Sequence, residues 1–331
     1  MSEGSFKISV LGGGSWATAL VKILTDNQSN VFWYLRSAES INYIREERSN
    51  PNYLSSAVLN TDQLFLSNHI EEIVCASEII ILAIPSAFID RELAAIKSNL
   101  QNKIIFSAVK GLVPETGLIL GDHLHKVYDI PYLNIGVIAG PCHAEEVAKG
   151  KLSFLTIASL EPKNLVILEA ALSSRYVKCK LSEDLFGIEY ASVLKNIYAI
   201  ASGIASGLGY GDNFQAVLMS NCMRETEAFI NGLGLGNRKI IDSVYLGDLL
   251  VTSYSSFSRN TSFGKLLGQG FSVKEAQTKM KMIAEGYYAT ASILKLCEKA
   301  ESFPIINLVY NILYLGKPPK DEFDLLLKFL D

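Results

Sequence analysis

The chain has little of what would tie it to the cell exterior, to nucleic acid or to a bilayer. Its five cysteines, Cys75, Cys142, Cys179, Cys222 and Cys297, are odd in number and scattered, with no CxxC pair. That pattern excludes a disulfide framework and a cysteine zinc site, and it fits reduced thiols. Charge is sparse: 19% of 331 residues, 30 Lys and Arg against 34 Asp and Glu, giving a net charge of -4. No basic block or stripe is present to neutralise phosphates, so no nucleic-acid partner is expected. The opening Met1-Ser-Glu-Gly-Ser5 lacks the basic start and apolar core of a secretory leader, and a cytoplasmic protein is expected. The region from Tyr190 to Gly209 approaches the length of a membrane span, but Lys195, Asn196 and several serines and glycines dilute it. It reads as a buried core helix, with no membrane span expected. The alternating His123 and His125 read as surface residues, and no metal site is expected. Internal repeats and low-complexity tracts are missing as well.

What is present is core-forming. The composition is 49% hydrophobic, and the length suits about two domains. In the first half, short apolar runs at Lys7–Leu11, Asn30–Leu35, Glu78–Ala83, Lys103–Ser107, Asn134–Ile138 and Phe154–Ala158 read as strands. Helical patterns lie between most of them, among them Trp16–Thr25, Ala87–Asn99 and His143–Lys149. Near-continuous runs such as Ile79-Ile-Ile-Leu-Ala-Ile84 are what a parallel sheet covered on both faces requires. The alternation predicts a doubly wound α/β domain. After about Glu183 only helices are predicted: Gly187–Ser206, Asn213–Leu233, a stretch around Asp248–Ser253, Val273–Met282, Tyr287–Ala300 and Ile305–Leu315. The expected division is residues 1–185 and an all-helical domain over 186–331, with a ligand crevice at their boundary. A homodimer is compatible with the apolar helical half.

Gly12-Gly-Gly14-Ser-Trp-Ala17 follows the first strand and opens a helix, matching G-x-G-x-x-G/A with Ala17 in third place. Gly12 permits the tight turn, Gly14 lets backbone approach a pyrophosphate, and Ala17 lets helix and strand pack closely. This predicts a Rossmann-type dinucleotide site, against the plainer reading of a structural turn. The second strand ends in Arg36-Ser37, with no acid before Glu39. An acid there would hold the ribose 2′-hydroxyl of NAD, so Arg36 tilts the choice to NADP. Arg36 stacked on adenine is the alternative, and dual use then follows.

Lys195 sits inside one of the most apolar stretches of the chain, which reads as a long helix. Desolvation there would lower its pKa and suit it to passing a proton; the alternatives are an amine that snorkels to the surface or one that pairs with Glu189. Lys110-Gly111 and Gly140-Pro-Cys-His-Ala144 each follow a strand, where open α/β sheets bind ligands. A surface loop is the plainer reading of Lys110. Ser258-Arg-Asn260 suits a phosphate, since guanidinium offers paired donors; Arg259 at a solvated helix end is the alternative.

In order along the chain, Gly12-Gly-Gly-Ser-Trp-Ala-Thr-Ala-Leu20, Ser107-Ala-Val-Lys-Gly-Leu112, Ala139-Gly-Pro-Cys-His-Ala-Glu-Glu146, Val193-Leu-Lys-Asn-Ile197, Gly207-Leu-Gly-Tyr-Gly-Asp-Asn213, Leu246-Gly-Asp-Leu249, Phe257-Ser-Arg-Asn260 and Ala284-Glu-Gly286 form a specific set. The chain, from about residue 7 to about residue 300, resembles the bacterial-type NAD(P)-dependent glycerol-3-phosphate dehydrogenases. The resemblance implies reversible reduction of dihydroxyacetone phosphate to sn-glycerol 3-phosphate, a precursor for glycerophospholipids. It implies that Lys195 passes the proton, that Lys110 lies at substrate and nicotinamide, and that Asp248 tunes the lysine. It implies that Ser258, Arg259 and Asn260 hold the phosphate, Arg259 also reaching the cofactor, and that Gly140, Cys142 and Ala144 share substrate and cofactor contacts. Ser15, Trp16, Arg36 and Glu285 fall at cofactor positions.

One departure is Cys142, where the family often has a hydroxyl residue. With His143 beside it, a thiohemiacetal-forming nucleophile is a rival mechanism. A β-hydroxyacid or ketopantoate type of dehydrogenase is a rival enzyme, which the Ser258-Arg-Asn260 segment disfavours. A non-catalytic dinucleotide sensor is the remaining rival, disfavoured by Lys110, Lys195 and Asp248.

Overall fold

A computed structural model describes residues 6–27, 30–236, 238–280, 284–297 and 302–330. The chain divides into two compact units, Met1–Val109 with Leu118–Leu185, and Lys110–Gly117 with Phe186–Asp331.

The first unit is an eight-stranded sheet covered by helices. Its strands are β1 (Ile8–Leu11), β2 (Val31–Tyr34), β3 (Leu64–Ser67), β4 (Ile79–Leu82), β5 (Ile104–Ser107), β6 (Ile135–Ala139), β7 (Ser153–Ser159) and β8 (Val177–Ser182), in the order β3-β2-β1-β4-β5-β6-β7-β8. Its helices are α1 (Ser15–Asn27), α2 (Ala38–Glu47), α3 (Ile70–Ala76), α4 (Ile89–Leu93), α5 (Leu120–Tyr128), α6 (Ala144–Ala148) and α7 (Pro162–Leu172). All neighbours pair in parallel except β6 and β7, which run antiparallel from Gly136 opposite Ser159 to Ala139 opposite Thr156. The doubly wound, mainly parallel sheet expected thus carries one antiparallel junction. The five-residue α6 rises only about 7 Å, too short to carry the chain back along a seven-residue strand.

Two strands were not predicted. β3 is four residues at the sheet edge and half open to solvent. β8 forms the other edge and carries Lys178 and Lys180, the kind of charge that guards an edge against further pairing. The helix expected over Ala87–Asn99 is shorter. It is a single tight turn, Ser86–Phe88, followed by α4, and beyond it the Lys97 N–H leaves helical bonding to donate to Glu71 Oε2 at 2.8 Å. His123, expected at the surface, is buried, with Nε2 3.2 Å from Asp90 Oδ1. Its position on the inner face of amphipathic α5 accounts for this.

The second unit holds α8 (Leu185–Gly207), α9 (Asp212–Gly232), α10 (Asp248–Tyr254), α11 (Arg259–Gly268), α12 (Val273–Lys279), α13 (Glu285–Leu296), α14 (Pro304–Tyr314) and α15 (Pro319–Leu326). The expected helix ends at residues 281–282 and 298–300 lie outside the described residues. Helices α8 and α11 meet backbone to backbone. A Cβ on Gly203 would run into Thr261 O, and one on Gly264 into Ile200 O, with Gly207 and Gly268 repeating the fit one turn on. Small residues four apart on both helices let the axes approach this closely. The buried Glu225 of α9 accepts from the N–H groups of Ile305 and Ile306 at 2.6 and 3.3 Å, capping α14. No helix among the described residues is long and apolar enough to cross a membrane.

Candidate active site

In the first unit the glycine turn joins β1 to α1. Gly12 adopts φ 129°, a value that favours glycine, and a Cβ there would strike the Ala83 carbonyl after β4. The loop carbonyls are held from behind. Trp33 Nε1 donates to Gly12 O at 2.6 Å, Asn50 Nδ2 donates to Gly13 O at 3.2 Å, and Thr18 Oγ1 donates to Gly14 O at 2.9 Å. A Cβ built on Gly14 meets nothing within 4 Å, so this side of the turn is open. With carbonyls tied back and the start of α1 half-open at Ser15 and Trp16, the turn fits a pyrophosphate. Arg36 is exposed just past β2; Ser37 caps α2 and donates to Glu39 Oε2 at 2.7 Å.

The loop after β6 belongs to the same unit. Gly140 has φ 119°, and Cys142 N donates to Gly140 O at 2.8 Å. The Cys142 thiol is buried and donates to Phe154 O at 3.1 Å. Ala144 then opens α6, which packs against α1. A thiol engaged with a backbone carbonyl is poorly placed as a nucleophile.

The other sequence candidates gather in the second unit. Lys195 lies in the middle of α8 and is 4% exposed, so it does not snorkel; its ion-pair partner is Asp248, 2% exposed. Asp248 begins α10 directly after one turn of π-helix, Ser243–Gly247, a local widening that often marks functional positions. Thr252, one helical turn on, donates to Asp248 Oδ1 at 3.5 Å; among the described residues Oδ2 is buried with no hydrogen-bond partner. Burial lowers the Lys195 pKa to about 8; Asp248 opposes that shift, and the neighbouring Lys110 cation adds to it.

Two buried amides tie the cluster together. Asn196 Nδ2 donates to Lys110 O at 2.7 Å, and its Oδ1 accepts from Asn260 Nδ2 at 3.0 Å. Asn260 Oδ1 in turn accepts from Gly286 N at 3.0 Å. A carbonyl at one end and an N–H at the other fix the orientation of both amides. Lys110, the Lys195 helix, the Ser258–Asn260 segment and the start of α13 at Glu285 are thereby held in one arrangement. Ser258 caps α11, accepting from Thr261 N at 3.2 Å, while Arg259 is exposed at the first helical position. A capped helix start with an exposed arginine suits a phosphate.

Sequence reasoning did not single out Asn196, Thr252, Trp33 or Asn50. Thr252 was detectable from its spacing of four from Asp248 on one helix. Asn50 has no local signal, since its partner Gly13 is 37 residues away.

Models of the NAD-dependent glycerol-3-phosphate dehydrogenase N-terminus and C-terminus match residues 7–165 and 184–324. The glycerol-3-phosphate dehydrogenase [NAD(P)+] of Staphylococcus carnosus is 32% identical over 97% of this chain and 97% of its own length. That of Leuconostoc mesenteroides is 34% identical over 95% of each. The crystal structure of glycerol-3-phosphate dehydrogenase from Coxiella burnetii matches with TM-score 0.86 and 27% identity, covering 97% of this chain and 98% of that one.

Proposed function

Because the chain belongs to the NAD-dependent glycerol-3-phosphate dehydrogenase family, we propose that it interconverts dihydroxyacetone phosphate and sn-glycerol 3-phosphate with NAD(P), Lys195 passing the proton. The observation that carries this is the buried Lys195–Asp248 pair, clustered with Lys110 and the Ser258–Asn260 segment.

In the first unit the glycine turn with Ser15, Trp16, Arg36 and Ala144 would hold the dinucleotide, and by family resemblance Lys110, Arg259 and Glu285 are the cofactor candidates of the second. When bound, the nicotinamide supplies or accepts the hydride. As the ketone is reduced, negative charge grows on its oxygen. The Lys195 ammonium stabilises that charge and delivers its proton, Lys110 adding a second positive charge. Asp248 keeps the amine protonated often enough for the task, since without it burial would drive the pKa lower still. In the reverse direction the neutral amine takes the alcohol proton.

Ser258, Arg259 and Asn260 would grip the phosphate, and by family resemblance Gly140 and Cys142 are the substrate candidates of the first unit. Binding energy from the phosphate, remote from the reacting carbon, orients the carbonyl. The product would feed glycerophospholipid synthesis in the cytoplasm, and a homodimer is compatible with the apolar helical half.

The test is a spectrophotometric assay with dihydroxyacetone phosphate and each reduced coenzyme. Oxidation dependent on this ketone is expected, with kcat as well as affinity falling for unphosphorylated dihydroxyacetone. Activity on ketopantoate or a β-keto acid instead would overturn the substrate assignment. Cys142→Ser is expected to retain activity within about threefold, because a hydroxyl can donate to the same Phe154 carbonyl. Complete loss of turnover in that variant would instead support the thiol nucleophile.

A further inference from the structure

A hydrogen-bonded bridge beside the glycine turn has no part in the proton chemistry. Tyr34 closes β2, and its carbonyl accepts from Gly12 N at 3.3 Å. Its side chain is buried, and the hydroxyl donates to Glu92 Oε2 at 2.9 Å. Glu92, on α4, is also buried, and its other oxygen accepts from Arg91 Nη2 at 2.8 Å. The Arg91 guanidinium lies over the Phe88 ring, with Cζ 5.1 Å from the centroid. Strands β2, β1 and β4 are neighbours in the sheet, and α4 follows β4. The Tyr34–Glu92 bond therefore reaches from the end of β2 to the helix after β4, past the end of β1 and its glycines.

Arg36 stands two residues beyond Tyr34. Burial and Glu92 raise the Tyr34 pKa to about 12, and the charges of Arg36 and Arg91 both pull against that rise. Two cations thus gather around one phenol. An exposed arginine paired only at the surface contributes little and wanders. Arg91 is different: an aromatic face and a buried carboxylate fix its plane while its side chain stays 59% exposed. A guanidinium held this way can present its remaining N–H groups to an anion in a fixed fork, which lysine cannot do.

We propose that Arg91, positioned by Glu92 and Tyr34, is a second guanidinium beside Arg36 for the 2′-phosphate of NADP, and that this makes NADP the preferred coenzyme. The inference rests on assigning the dinucleotide to the glycine turn. The acid of this segment, Glu39, already takes the Ser37 hydroxyl, and Ser37 also caps α2 by accepting from Ser40 N at 3.1 Å. Ser37 therefore has no proton to offer, and Glu39 opposes an added anion. The phosphate falls to the two arginines.

The experiment is titration of NADPH and NADH, followed by nicotinamide fluorescence, into wild type, Arg91→Met and Glu92→Gln. Wild type is expected to bind NADPH more tightly than NADH. Arg91→Met should weaken NADPH roughly ten- to a hundred-fold, the range for one lost charge-assisted contact, and leave NADH within about twofold. Glu92→Gln keeps the arginine but loosens its hold, so NADPH should weaken by less and NADH stay unchanged. Equal losses for both coenzymes in Arg91→Met, or unaltered NADPH binding, would overturn the proposal while leaving the glycine-turn assignment intact. If wild type binds neither coenzyme, that assignment fails and the proposal with it.

Discussion

Replacing Lys195 by methionine is expected to collapse turnover while coenzyme binding survives. Methionine keeps the length and apolar stem of the side chain but has no proton to give and no charge for the developing oxyanion. General acid catalysis is worth about 10² to 10⁴ in rate, and a fixed positive group at the oxygen adds to it. We expect kcat/KM to fall at least about a thousandfold, with the dissociation constant for the reduced coenzyme within about threefold of wild type. The substitution leaves Asp248 buried without its cation, which costs stability as well as chemistry. A thermal melt beside the kinetics separates lost chemistry from lost folding. Asp248→Asn keeps the shape but removes the charge that supports the ammonium. Its apparent pKa for Lys195 should drop below about 8, and reduction near neutral pH should slow with it.

The second large effect lies away from the chemistry. Gly264→Val places a branched side chain where α11 already touches the Ile200 carbonyl of α8. Neither backbone can yield without parting the helices, so a loss of at least about 3 kcal/mol of stability is expected. Gly232→Ala is the control. It lies at the end of α9 with nothing within 4 Å of an added Cβ, and it should be neutral or stabilising by about 0.5 kcal/mol. The milder Gly264→Ala should fold yet lose activity out of proportion to its stability. Helix α8 carries Lys195 and Asn196, α11 begins at Arg259, and the 3.0 Å bond between Asn260 and Asn196 cannot survive their separation. Chemical denaturation and steady-state kinetics on the same preparations would show whether the two quantities diverge.

Much of this is written in local pattern. Six of the eight strands are legible because each is a short apolar run with turn residues at its ends, and the glycine turn because strand, glycines and helix are consecutive. Lys195 is legible because a charged residue inside so apolar a helix needs a reason. The two edge strands, partly open and charged, lack the buried-strand signature. The reversal at β7 depends on the length of α6, which sequence spacing places only roughly. Other features arise only on folding. Asp248 meets Lys195 across 53 positions and Asn196 meets Lys110 across 86, so neither pairing has a local signal apart from family resemblance. The burial of His123 against Asp90 has the same origin, since that partner comes from another helix.

The most direct test of a proton-passing Lys195 is the pH dependence of kcat/KM measured in both directions on wild type. Reduction needs the ammonium and oxidation the neutral amine. With the folded pKa lowered to about 8, the reductive rate should fall, and the oxidative rate rise, as pH climbs through that value. Opposed profiles sharing an inflection near 8, both lost in Lys195→Met, are expected. Profiles that are flat across that range, or that bend in the same direction, would contradict the role assigned to this lysine.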